Sequence, residues 1–286
     1  MKLGLALSGG GVRAAAQLGI VKALHEAGIK PEIFTGTSGG SIVATLLALG
    51  LTPDEALERF RETNDVFDLA IWHIIKGFFT GDEIEGIIKG KKLEESLNII
   101  FDHRGVAEIY YPFAVIATDL ITGKEIIISN KTKDEVNTDE VNNDSYEWLY
   151  ASYRYLSHFV RASCSFPGVF IPKNYGEYQF VDGGLTNNLP ADTARALGAD
   201  RVISISLANQ PHLFDDNHGI LGILSRSFGI IFDRSSDNND KDYDILLTPN
   251  VDDVGLFSLN EIDYAFSIGY EHGKKAVPEI KLSLGL

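Results

Sequence analysis

The chain has 286 residues, 44% hydrophobic and 23% charged, with one cysteine and a formal net charge of −15. A chain of this length buries roughly three quarters of its unfolded surface, and its composition excludes general disorder. Cys164 standing alone excludes an intramolecular disulfide and argues against a cysteine-built zinc site, while the acidic balance argues against a nucleic-acid partner and against strong electrostatic docking on anionic lipid. The N-terminal apolar run is too short for a signal peptide, and no run of 18 apolar residues occurs that would span a bilayer. The expected location is cytoplasmic, with at most weak peripheral contact at a membrane.

Residues 3–7 read as a short buried strand, followed at once by Gly9-Gly10-Gly11, and residues 13–27 as a helix stopped by Gly28. A second strand over residues 32–35 runs into Gly36-Thr37-Ser38-Gly39-Gly40, with a helix over residues 42–49 behind it. Strand, glycine-rich turn and helix thus occur twice in fifty residues, which argues for a parallel or mixed sheet with helices on its faces. Thr52-Pro53-Asp54-Glu55 is a helix start, with a Thr cap, Pro at the first position and acids in the first turn. Strands are expected at 113–117 and 125–129 around the turn Thr122-Gly123, and a polar surface insertion at about 130–150. A helix over 155–162, a hairpin over 169–181, a helix over 190–197, strands at 202–206 and 244–247 and a closing helix over 262–280 complete the chain. Neither an internal repeat nor a domain boundary stands out, so residues 1–286 read as one domain with insertions.

Three glycine-rich turns carry the chemistry. In Ser8-Gly9-Gly10-Gly11-Val12-Arg13, consecutive glycines let the backbone present several N–H groups at a helix N-terminus. Such a cradle suits a phosphate or the oxyanion of an acyl-transfer intermediate. Gly9-x-Gly11-x-x-Ala14 satisfies the dinucleotide spacing, but the second strand ends in Thr35-Gly36 where that fingerprint needs an acid. Val12-Arg13-Ala14 lacks the Gly-Lys-Ser/Thr ending of a P-loop. A tight turn that brings helix and sheet together is the plainer alternative.

Gly36-x-Ser38-x-Gly40 has the spacing of a nucleophile elbow, in which a strained strand-to-helix turn projects a serine hydroxyl outward. Gly36 and Gly40 remove the side chains that would clash there. The competing role is a Ser N-cap, for which Ser41 is a second candidate. In Asp182-Gly183-Gly184, Gly183 and Gly184 let another backbone approach the carboxylate closely; an ordinary Asx turn accounts for the same residues.

Together these turns, with the supporting stretches Ala162-Ser163-Cys164-Ser165-Phe166-Pro167-Gly168-Val169-Phe170 and Asn188-Leu189-Pro190, resemble the patatin-like phospholipase family, short bacterial type, over nearly the whole chain. The resemblance implies a three-layer α/β/α fold with a mostly parallel central sheet. It also implies a serine hydrolase acting on lipid acyl esters through a Ser–Asp dyad and an acyl-enzyme. Carried over by position, Ser38 is the nucleophile, Asp182 its partner, and Gly9, Gly10 and Gly11 the oxyanion loop, with Arg13 the basic residue of that motif and Gly36, Gly40, Gly183 and Gly184 in support. The resemblance implies no cofactor and no metal, and leaves oligomeric state, head group and chain length open.

Two other readings compete. His212, His218 and His272 follow Asp182 in the order of a Ser–Asp–His triad. A non-catalytic nucleotide- or anion-binding α/β protein would use the Gly9–Gly11 loop alone. The apolar stretches 66–79 and 219–232 are expected to line an acyl channel, touch a membrane or sit in the core.

Overall fold

The computed structural model describes residues 1–62, 90–141, 145–151, 154–207, 227–232, 234–235, 242–256 and 258–286. Strand β1 (Leu3–Leu7) lies between β2 (Ile33–Thr37) and β8 (Arg201–Ile205), parallel to both. β3 (Phe113–Asp119) continues the parallel set beyond β2, and β9 (Ile245–Leu247) continues it beyond β8. β4 (Glu125–Ser129) returns antiparallel to β3, as the Thr122-Gly123 turn requires. β5 (Tyr146–Tyr150) then adds parallel to β4 at the edge. The short hairpin of β6 (Lys173–Tyr175) and β7 (Tyr178–Asp182) joins through β7, antiparallel to β3.

Strand alternation sorts side chains onto two faces. Leu5, Leu7, Phe34, Phe113 and Val115 point into a large core shared with α1 (Ala15–Glu26) and α2 (Gly39–Ala48). The closing helix Ile262–Leu284 packs on α1, close enough that a Cβ on Gly19 would lie 2.1 Å from Phe266 O. Ala6, Ile33, Ala114 and Ile116 face the other way, into a thinner, alanine-rich layer under the helix Ala191–Ala196. The result is three layers around a mostly parallel sheet. Helix α3 (Pro53–Arg61) opens with a full capping box between Thr52 and Glu55, as its first four residues predict.

Several boundaries move. The helix expected from residue 42 begins at Gly39, directly behind Ser38; two glycines of low helix propensity hide that start in the sequence. The second strand runs to Thr37 because Gly36 and Thr37 pair with Val115 and Ile116. Residues 13–14 belong to a 3-10 turn, Gly11–Ala14, ahead of α1. The polar stretch at 130–150 holds two 3-10 turns, Lys133–Glu135 and Thr138–Glu140, and ends as edge strand β5. The helix Lys91–Ile100 was not anticipated. The apolar stretch 66–79 lies outside the described residues, as does 219–226; residues 227–232 are helical.

Candidate active site

The sheet brings Ser38 and Asp182 together by a strand substitution. β4 occupies one side of β3 along Ala114–Thr118. On the other side β2 runs beside β3 as far as Thr37, opposite Ile116. β7 then takes over that side in the opposite direction, with Asp182 opposite Ala117. The C-terminal ends of β2 and β7 therefore meet head-on at neighbouring rungs, and Ser38 Oγ donates a 2.7 Å hydrogen bond to Asp182 Oδ2.

Ser38 sits at φ 49°, ψ −125°, a conformation that non-glycine residues rarely adopt and that costs of order 1–3 kcal/mol. It occupies the N-cap position of α2, yet its side chain caps nothing. Its carbonyl accepts from Ser41 N–H at 2.8 Å and from Ser41 Oγ at 2.5 Å, and its N–H donates to Ser163 Oγ at 2.9 Å. The turn closes this tightly only because a Cβ on Gly36 would lie 2.4 Å from Gly40 O, and one on Gly40 2.4 Å from Ser8 O. Ser38 as a residue is half-buried.

Asp182 is fully buried. Desolvation raises its carboxyl from the ordinary 3.8 to about 7, against the Gly184 N–H and Ser38 hydroxyl hydrogen bonds that lower it. Cys164 lies close by, its Sγ 3.8 Å from Ser41 Oγ. Burial first, and then the Asp182 charge, push its thiol up to about 12, so it stays protonated and a poor nucleophile at neutral pH.

The glycine-rich loop after β1 packs against the elbow. A Cβ on Gly9 would lie 3.1 Å from Ser38 Cβ, and one on Gly39 2.5 Å from Gly11 O. The three glycines are not equivalent. The Gly9 N–H is taken by Asn188, through its side-chain Oδ1 at 3.0 Å and its carbonyl at 3.3 Å. Among the described residues nothing accepts from the N–H groups of Gly10 and Gly11, and both residues are partly exposed. Gly11 has φ +57°, and a side chain there would collide with Leu256 O at 2.2 Å. Behind the loop, buried Arg13 donates from Nε to Val254 O at 2.6 Å, and Val12 N–H donates to Leu256 O at 2.9 Å. Arg13 therefore fastens the segment on which the loop rests.

Around Asp182, a Cβ on Gly183 would lie 2.2 Å from Ile116 O, and one on Gly184 2.9 Å from the Phe232 ring. Phe166 packs edge-on against Phe228 and Phe232, with centroids 5.3 and 5.9 Å away, and forms an apolar wall beside the turn. Ser235 Oγ pins this segment by donating to Gly184 O at 2.8 Å and accepting from Asn188 N–H at 3.2 Å. His212 and His218 lie outside the described residues. His272 is on the closing helix, next to Gly273, which abuts Ile20 and Ala23 of α1. Among the described residues no histidine bonds to Ser38 or Asp182, and no group of three His, Cys, Asp or Glu could hold a metal ion.

The family model for patatin-like phospholipase matches residues 5–195, a span that includes all three glycine-rich turns, Ser38 and Asp182. The chain belongs to the patatin-like phospholipase family. An uncharacterised NTE family protein of Mycobacterium tuberculosis is 30% identical over 209 residues, covering 72% of this chain and 30% of the relative. Patatin-like phospholipase domain-containing protein 7 of Rattus norvegicus is 26% identical over 298 residues, covering 95% of this chain and 20% of the relative. The chain thus spans less than a third of the length of these relatives. Human GIVD cytosolic phospholipase A2 shares the fold, with a TM-score of 0.52 at 11% identity, covering 99% of this chain and 59% of that one.

Three contributors in this patatin-like chain escaped sequence reasoning. Asn188 engages the first glycine of the loop, Ser163 accepts the Ser38 N–H, and the Ser165 carbonyl accepts the Asp182 N–H at 3.1 Å. Ser163 and Ser165 lie in the stretch that carries the family resemblance, and Asn188 precedes the Leu189-Pro190 pair. Their presence was visible, but their bonding partners were not.

Proposed function

We propose that this chain hydrolyses fatty-acyl ester bonds in a phospholipid, lysophospholipid or acylglycerol, with Ser38 as nucleophile, Asp182 as its base and the Gly10 and Gly11 amides as the oxyanion site. The observation that carries the reading is the 2.7 Å bond from the hydroxyl of a strained, half-buried serine to a fully buried carboxylate. Burial makes that carboxylate a far better base than its ordinary 3.8 would allow. Asp182 Oδ2 takes the Ser38 proton as Oγ attacks the ester carbon. The carbonyl oxygen gains the charge and is held by the loop amides. Collapse expels the alcohol, which takes the proton from Asp182 and leaves the acyl group on Ser38. Water then attacks, its proton passes to Asp182 and on to Ser38, and the fatty acid leaves.

The rings of Phe166, Phe228 and Phe232 beside Gly184 support an apolar acyl chain in the substrate. Weak peripheral contact with the lipid surface is part of the same reading. Leu120 and Ile121, at the tip of the β3–β4 turn, are 54% and 63% exposed. That turn leaves the sheet at its carboxyl edge, where Ser38 also sits. With a net charge of −15, such contact is apolar and insensitive to salt. Among the described residues no helix is long and apolar enough to cross a membrane.

A fluorophosphonate probe tests the assignment. The adduct is expected on Ser38 by peptide mass analysis and absent in Ser38→Ala. Unchanged labelling of that variant would refute the nucleophile.

A further inference from the structure

Both members of the proposed dyad are gripped by one three-residue stretch. The helix Leu156–Ser163 ends beneath the elbow, and there Ser163 Oγ accepts the Ser38 N–H at 2.9 Å. Two residues on, Ser165 O accepts the Asp182 N–H at 3.1 Å. Between them Cys164 Sγ lies 3.8 Å from Ser41 Oγ, which itself donates to Ser38 O. All three residues of the stretch are buried. We propose that Ser163-Cys164-Ser165 is a bracket that sets the Ser38–Asp182 separation, with Ser163 the positioning residue for the nucleophile. The proposal rests on the hydrolase reading above.

The bracket is itself anchored. Arg161, one of the largest fully buried side chains, donates from Nη1 to Ser165 Oγ, from Nε to Gly90 O at 3.2 Å and from Nη2 to Ile171 O at 3.0 Å. Ser165 Oγ returns a 2.9 Å bond to Arg161 O. The guanidinium thus clamps the stretch to two further segments of chain. Elbow strain needs such an anchor, because a residue held in a rare backbone conformation relaxes unless its surroundings over-determine it. Ser41 fixes the carbonyl of Ser38 from within α2, and Ser163 fixes the N–H from outside it. Without Ser163 Oγ that N–H has no acceptor among the described residues. The elbow is then free to rotate, and rotation carries Oγ away from a carboxylate that the other end of the bracket still holds.

Ser163→Ala deletes that single oxygen. With a monomeric short-chain ester, kcat is expected to fall roughly 10- to 100-fold while KM changes less than about 2-fold, as for misplacement of a reacting group by about 1 Å. Because the Ser38 hydrogen bond holds the Asp182 carboxyl down, the acidic limb of the pH–rate profile should also move to higher pH. A purely structural serine would lower the melting temperature and leave kcat and that limb in place. Ser163→Cys keeps the shape but offers a weak acceptor, so its kcat should fall between the other two. It carries the test alone if the alanine variant does not fold. Wild-type kcat and an unmoved acidic limb in either variant would overturn the bracket. Fluorophosphonate labelling of the wild type separates the two claims: an adduct on Ser38 with equal labelling rates in the variants fails the bracket only. No adduct on wild-type Ser38 fails the hydrolase reading and the bracket with it.

Discussion

Asp182 Oδ1 accepts the Gly184 N–H at 2.9 Å, so the carboxylate is fixed within its own turn before Oδ2 meets Ser38. That fixation orients a group which burial makes reluctant to ionise. The folded carboxyl titrates at about 7 and an ordinary one at 3.8. Over that interval the native state holds a proton that the unfolded chain has released. Stability therefore falls as pH rises through the interval, and the loss is complete above about 7. Asp182→Asn keeps the shape and an acceptor for Gly184 while removing the ionisation. It should abolish turnover and raise stability at pH 8 by on the order of a few kcal/mol, with little gain below pH 4. Urea melts across that range test this; a variant less stable than wild type at pH 8 would contradict the burial argument.

With Asp182 as the proposed base, the same titration should govern activity with the opposite sign. Asp182 takes a proton only when ionised, so kcat/KM for a monomeric ester should rise as pH increases from about 5, pass its midpoint near 7 and level off above. A pH–rate profile that is flat across this range would remove Asp182 as the base.

At Gly11 a methyl group meets Leu256 O at 2.2 Å, and the +57° φ strains any L side chain. Gly11→Ala should displace one of the two uncommitted loop amides. We expect kcat to fall about 100- to 1000-fold with KM little changed, and the Ser38–Asp182 bond should persist in a crystal structure of the variant. The corresponding change at Gly9, whose N–H already serves Asn188, should act mainly through clashes with Asn188 Oδ1 and Ser38 Cβ.

The exposed pair Leu120 and Ile121 sits on a turn fixed by Asp119, whose carboxylate accepts from Thr122 N–H, Thr122 Oγ1 and Gln179 N–H. The double change Leu120→Ser with Ile121→Ser leaves those bonds in place. Hydrolysis of phosphatidylcholine vesicles should drop several-fold while turnover of a monomeric ester stays at the wild-type level. Equal loss on both substrates would show that the tip acts through the fold and not through the lipid surface.

Much of this protein is written locally. The elbow spacing around Ser38, the capping box at Thr52, the Thr122-Gly123 turn and the alternation of strand and helix are short-range patterns, and short-range sterics enforce them. Ser38 and Asp182 were legible as residues for the same reason, because each lies in a turn whose glycines mark a close approach. What approaches could not be read there. That β7 replaces β2 along β3, that Asn188 engages Gly9 but not Gly10 or Gly11, and that Ser163 reaches the Ser38 amide all depend on contacts between residues more than sixty positions apart. Such contacts form only when the sheet assembles and buries its two faces. Asp182 owes its raised pKa to the same event, since desolvation belongs to the packed neighbourhood and not to the chain that supplies the carboxyl.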